Sequence, residues 1–219
     1  MVEYVIHGTY FDNIFHILES GKLETNPQNA SKNYYGKGQN PKQIFTNILL
    51  RDLPNQEKQV AYWGDVGIVL DKRILKAKKW YATLISSFLD KFDDAFEDND
   101  ETRNLILSKN QKANASRIPS IARLKNIIIN LIKQHSDKNS FGNLAFTHSH
   151  ELLFGEDISL AEYGICILLQ ERLFNKILNK TQQDKIKELC NDLGIHLIVY
   201  KPMIPGINKI IDLINTIRK

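Results

Sequence analysis

The chain has 219 residues, of which 42% are hydrophobic, 25% charged and 9% aromatic, a make-up that excludes a fully disordered or fibrous protein. Lys and Arg outnumber Asp and Glu by 29 to 25, for a formal charge of +4; this tolerates a nucleic-acid or nucleotide partner but does not argue for one. A domain of this length buries roughly 70% of the surface its unfolded chain exposes, enough for a core and a cleft.

Cys166 and Cys190 are the only two cysteines, too few for a disulfide framework or a four-cysteine zinc site. Cys166 lies in the apolar run Gly164-Ile165-Cys166-Ile167-Leu168-Leu169 and reads as a buried free thiol. The start of the chain, Met1 to His7, lacks the basic and long apolar stretches of a signal peptide. Nothing approaches the roughly eighteen apolar residues of a membrane span. The expectation is therefore a cytoplasmic or otherwise intracellular protein without a membrane partner.

In chain order, Val2 to Ile6 reads as a strand. A helix follows, with Asp12 placed to cap it, Phe11, Ile14, Phe15 and Leu18 on one apolar face, His16 off that face, and Gly21 as its stop. Residues 25 to 42 turn polar around Tyr34 and Tyr35, the composition of a long functional loop. Gln43 to Leu50 and Val66 to Leu70 are β-branched, aliphatic strands. Trp80 to Phe92 is read as the start of a helical region, Asp90 to Glu101 as a solvated acidic run, and Ser120 to His135 as an amphipathic helix. Strands return at Leu144 to Thr147, Leu152 to Phe154 and Gly164 to Leu169. A helix over Lys180 to Asp192 ends at Gly194, a strand covers Ile195 to Tyr200, and Ile207 to Ile217 closes the chain as a helix. The sum is one α+β domain over residues 1 to 219, with a mostly antiparallel β core and a mainly helical insert at about 80 to 140.

Three stretches carry chemistry. Ile6-His7-Gly8-Thr9 places a histidine at the end of a strand, with a glycine behind it that lets a ligand approach the backbone. Tyr34-Tyr35-Gly36-Lys37-Gly38 sets two aromatics beside two glycines, suited to walling a planar ring. Thr147-His148-Ser149-His150-Glu151-Leu152-Leu153-Phe154 puts a carboxylate at the head of an apolar strand. Alternation assigns Glu151 and Leu153 to one face, Leu152 and Phe154 to the other. A charged group on a half-buried strand costs energy unless it is paired or used.

Together, the His-Gly-Thr strand, the helix ending at Gly21, the aromatic Gly-Lys-Gly segment and the late glutamate resemble the ADP-ribosyltransferase superfamily. The likeness is to its His-Tyr-Glu branch of poly(ADP-ribose) polymerases and diphtheria-toxin-like enzymes. The stretch Glu151 to Tyr163 also resembles DarT-like enzymes, which modify DNA. The resemblance touches about residues 1 to 75 and 144 to 170. It implies a split sheet, NAD as substrate, and a macromolecular acceptor, protein or nucleic acid. It also implies a toxin or effector role. By that resemblance His7 would bond the adenosine-side ribose, the Gly8 backbone would hold the nicotinamide amide, and Tyr35 or Tyr34 would stack on the nicotinamide ring. Thr9 would belong to the same nucleotide-binding motif, and Thr46 would fill a strand hydroxyl position. Glu151 would bind the 2′-hydroxyl of the nicotinamide ribose, stabilising charge as the glycosidic bond breaks. His148 or Ser149 would assist on the acceptor side, and no metal is called for. Two other readings compete. A two-histidine phosphoesterase would use His7, Thr9 and His148, and a non-catalytic domain of the same fold would bind a nucleotide or a partner.

Overall fold

The structure, a computed structural model, describes residues 2–25, 44–51, 64–83, 151–201 and 207–217. Nine strands and five short or medium α-helices follow one another among these residues. They are β1 (Val2–Thr9), α1 (Ile14–Ser20), β2 (Lys22–Leu23), β3 (Ile44–Leu50), β4 (Val66–Asp71), α2 (Ile74–Ala77), β5 (Trp80–Thr83), β6 (Glu151–Phe154), β7 (Ile158–Ser159), α3 (Leu160–Tyr163), β8 (Gly164–Gln170), α4 (Lys180–Asp192), β9 (His196–Tyr200) and α5 (Ile207–Thr216). Seven strands form one sheet in the order β5-β6-β3-β1-β4-β8-β9, and β2 pairs with β7 in a second, two-stranded sheet. Every pairing in the large sheet is antiparallel except β8 with β9. The α+β class and the mostly antiparallel core expected from the sequence are both present.

The large sheet separates two cores, because alternate residues of each strand point to opposite faces. One face packs Val5, Ile48, Ile68, Leu152, Phe154 and Ile167 against α1 and α4. The other packs Tyr4, Ile6, Leu49, Val69, Cys166 and Leu168 against Ile207, Ile210, Ile211 and Ile214 of α5. The i, i+3, i+4, i+7 spacing of those isoleucines makes α5 a one-sided helix whose only stable place is on an apolar sheet. Polar contacts pin it there: the Tyr4 hydroxyl donates to Asn215, and Arg51 reaches Asp212 at 2.9 Å. Cys166 and Cys190 are both buried, and desolvation pushes the Cys190 thiol up to about 12.

Two helix ends follow local chemistry closely. Asn179 and Gln182 form a reciprocal capping box at the start of α4, satisfying two backbone donors that the first turn leaves open. Gly21 closes α1 in the left-handed conformation, φ 67°. The expected Asp12 cap is absent. A 3₁₀ turn over Phe11–Asn13 comes first and α1 begins after Asn13, which makes no side-chain cap. Its amide is instead drawn back to Thr9. His16, off the apolar face as expected, is partly exposed with Nε2 3.4 Å from Glu24.

Trp80 to Thr83 corrects the reading of a helix starting at Trp80: it is a strand, the outermost of the sheet among the described residues, with Trp80 opposite Phe154 and Thr83 opposite Glu151. Two aromatics and a threonine in four residues suit a pleated surface, and the unpaired side of β6 supplies the partner. The expected helices and strands within 84–150, including the acidic run, lie outside the described residues.

Candidate active site

The strands that carry His7 and Glu151 flank β3. Between β1 and β3 the ladder stops at Ile6 opposite Asn47. Beyond it each strand keeps only its outer neighbour: β1 pairs with β4 as far as Thr9 opposite Val66, and β3 pairs with β6 as far as Ile44 opposite Phe154. The sheet forks at this point. His7 is the first residue past the last paired rung, and its side chain spans the fork, with Nδ1 2.7 Å from the Phe45 carbonyl oxygen.

That contact sets the state of the imidazole. A ring nitrogen facing a carbonyl oxygen at hydrogen-bond distance must carry the proton, so Nδ1–H donates and Nε2 is left as an acceptor. Desolvation lowers the His7 pKa below 6.5, outweighing the Phe45 carbonyl, which favours the charged form. The half-buried ring is therefore a neutral acceptor, suited to a hydroxyl donor and unsuited to act as a general acid near neutral pH.

The sign of the linkage follows. Because the folded-state pKa lies below the unfolded 6.5, the unfolded chain takes up the proton first as pH falls. The stability held above that value then drains away as pH falls toward the folded pKa. Asp157 and Asp184, whose pKa values are lowered from 3.8, start to lose stability only in a more acidic window. His7→Gln should flatten the fall in melting temperature between pH 7.5 and 5 and leave the more acidic fall in place. Parallel curves for the two proteins would show that His7 is not held neutral.

Beyond His7 the strand end is braced. The Thr9 hydroxyl accepts from Asn13 Nδ2 at 3.1 Å, and the Thr9 carbonyl accepts the Asp65 amide at 2.9 Å. Thr9 itself is buried at 8% exposure, a position for holding the motif in shape. Gly8 faces Gly67 across the β1–β4 ladder, so two adjacent positions on one face carry no side chain. Bare backbone of this kind admits a flat group close to the strands. Gly67 escaped the sequence reading, although an isolated glycine inside an apolar strand is its signal.

Thr46 lies in β3 at 2% exposure, and its hydroxyl donates to the Leu152 carbonyl at 3.0 Å. Its proton is spent on locking β3 to β6. Glu151 opens β6 and stands opposite Asn47 on one side and Thr83 on the other. By ladder position it shares a face with Asn47, Ile6 and Gly8, whereas His7 and Thr46 alternate to the other face. The structure thus brings the His7 and Glu151 strands within two strand spacings, about 10 Å, without giving the two residues a common face.

A clamp joins the segment after α1 to the turn after β6. Asp157 accepts from the Thr25 amide at 2.9 Å, the Thr25 hydroxyl at 3.1 Å and Lys22 Nζ at 3.0 Å. The Thr25 amide is the main reason its carboxyl sits below the ordinary range. Tyr34, Tyr35, His148 and Ser149 lie outside the described residues. Among the described residues no three His, Cys, Asp or Glu side chains gather around a common metal position, and no helix is long and apolar enough to cross a membrane. Comparison with protein-family models and with curated proteins finds no match to the chain, so its own residues carry the functional reading.

Proposed function

We propose that the chain is an NAD-dependent ADP-ribosyltransferase with its site at the fork between β1 and β3. The observation that carries this is the end of the β1–β3 ladder at Ile6–Asn47, with the neutral His7 ring immediately past it. Where two strands part, both faces of the sheet border the same opening. Residues that alternate along β1 can therefore border one ligand, and Glu151 lies one strand further, opposite Asn47 at the last paired rung of the fork. The side-chain-free pair Gly8–Gly67 and the register position of Glu151 share a face, which suits their joint assignment to the nicotinamide half. His7 Nε2, an acceptor, suits a ribose hydroxyl on the adenosine half. Thr9 and Asn13 keep the His-Gly-Thr turn in shape, and the Asp157 clamp holds the segment leading to Tyr34 and Tyr35 against the β6–β7 turn.

In this reading Glu151 stabilises the positive charge that grows on the ribose as the nicotinamide bond breaks. Preplaced groups of this type contribute about 3–4 kcal/mol to the barrier, roughly 10²–10³ in rate. The acceptor attacks from the opposite side of the sugar and is a macromolecule, protein or nucleic acid. Neutral His7 can serve as the base of a two-histidine phosphoesterase, but among the described residues no second histidine is placed to supply the acid.

The test is nicotinamide release from NAD by the wild type and by Glu151→Ala. The expected result is release by the wild type and a loss of roughly 100-fold or more in the variant. Equal rates would reject the role of Glu151. No release with protein, DNA or RNA acceptors would reject the enzyme.

A further inference from the structure

The segment Asp71-Lys72-Arg73-Ile74-Leu75-Lys76-Ala77-Lys78-Lys79-Trp80 holds five basic residues and one acidic residue. Its net charge alone equals the +4 of the whole chain. The rest of the chain sums to zero, its acidic run Asp90 to Glu101 offsetting basic residues elsewhere, and among the described residues this segment concentrates positive charge.

That place is firmly built. Ile74 is fully buried and anchors the inner side of α2. The Trp80 indole donates to the Leu75 carbonyl at 3.0 Å, and Asp71 caps the entering turn through the Arg73 amide at 2.9 Å. The turn begins at Lys72, whose carbonyl accepts the Leu75 amide at 3.1 Å. Lys72, Arg73, Lys76 and Lys79 are all exposed. The Arg73 side chain reaches Asp71 through Nε, at 3.4 Å, and is 73% exposed. Lys72, Lys76 and Lys79 have no ion-pair partner among the described residues. Lys78 differs: it is turned to Glu156 at 3.1 Å and lies over the Tyr163 ring, cancelling the one acid that it faces. The lysines of α4 are not comparable, because Lys180 and Lys187 pair with Asp184, and Lys185 pairs with Glu19.

We propose that this face binds a nucleic-acid strand by its phosphate backbone. Side chains three and four apart on a helical turn stand about 5–6 Å from one another at Cβ, a spacing that lets neighbouring cations meet successive phosphates. Protein–protein interfaces centre on apolar residues. The exposed large hydrophobic residues among those described are Tyr10, Ile177 and Val199, and none lies in this segment. A surface that is cationic without an apolar centre fits a polyanion gripped by charge alone. The proposal stands apart from the reading of the NAD site, and its test uses no NAD.

The experiment is fluorescence anisotropy of labelled oligothymidine and oligouridine, over a range of salt, with wild type, K72A/K76A/K79A and the α4 control K180A/K185A/K187A. Wild type should bind at low salt and release as salt rises. The α2 triple variant, with an unchanged circular dichroism spectrum, should bind about tenfold or more weakly. Its log–log salt slope should be shallower by about 2, at roughly 0.7 per phosphate neutralised on a single strand. Loss on either oligomer with the α4 control unaffected supports the proposal. Equal binding by wild type and the α2 variant, an equal loss in the α4 control, or polyglutamate binding as tightly as the oligomers would overturn it.

Discussion

Gly64→Ala should lower the melting temperature by roughly 4–24 °C, at about 2–4 °C per kcal/mol for a chain of this length, and should loosen the His7 end of β1. Gly64 has φ 102°, and a Cβ there would lie 2.3 Å from the Thr9 carbonyl oxygen and 2.7 Å from its carbon. Two costs combine. The conformation is nearly reserved for glycine, at about 1–3 kcal/mol for any other residue. The added methyl must also displace backbone rather than a pliable side chain, a further 1–3 kcal/mol or so. The displaced backbone is the carbonyl that accepts the Asp65 amide, so the strain falls on the brace beside the proposed ribose site. Gly194→Ala provides the control: φ is 67°, yet nothing lies within 4 Å of the new Cβ. It should show the conformational cost without the clash. Equal shifts in melting temperature for the two variants would mean that Gly64 does not approach Thr9 as described.

Phe154→Ala should be the most damaging change in the core, at about 3–5 kcal/mol for emptying a buried phenylalanine site. Phe154 is 0% exposed and is among the largest of the fully buried side chains. It stands opposite Ile44 on β3 and Trp80 on β5, so it holds the short strand β6 between two neighbours. With only four residues in β6, little else fixes the position of Glu151. Urea unfolding should give the stability change. If Glu151 acts as proposed, nicotinamide release should fall further than the folded fraction does. A loss under about 1 kcal/mol would mean that β6 is not an inner strand packed on the core. Phe154→Leu, which keeps most of the volume, should cost clearly less.

Much of the fold is written in short-range pattern. The strands at residues 44–50, 66–71 and 164–170 announce themselves as β-branched, aliphatic runs, because strands buried on both faces carry apolar side chains at nearly every position. The α4 helix has its cap in Asn179 and Gln182, and α5 has its single apolar stripe. Such signals depend on neighbours within a few residues, and they survive into the structure. Asp12 and Trp80 show where local reasoning stops. Asp12 is a good cap by composition, but Asn13 bonds back to Thr9 and a 3₁₀ turn takes the first position. Trp80 reads locally as the start of a helix, and only pairing with β6, some seventy residues later, makes it a strand.

The candidate site divides in the same way. His7, Gly8 and Glu151 stand out in the sequence because a strand-end histidine, a glycine behind it and a carboxylate on an apolar strand are each unusual in kind. Their arrangement depends on pairings that no local pattern encodes: β3 lies between β1 and β6, the β1–β3 ladder ends at Ile6–Asn47, and Gly8 meets Gly67. Thr46 looks open to a ligand in the sequence, but long-range pairing gives its proton to the Leu152 carbonyl.

By itself the sequence determined the α+β class, most strands and the residues able to do chemistry, since these follow from side-chain type and spacing along one chain. The tertiary structure alone decided that the sheet forks at His7, that the imidazole there is a neutral acceptor, and that Lys72, Arg73, Lys76 and Lys79 stand exposed around α2. Register, desolvation and ion pairing are set by residues distant in the chain and adjacent in space.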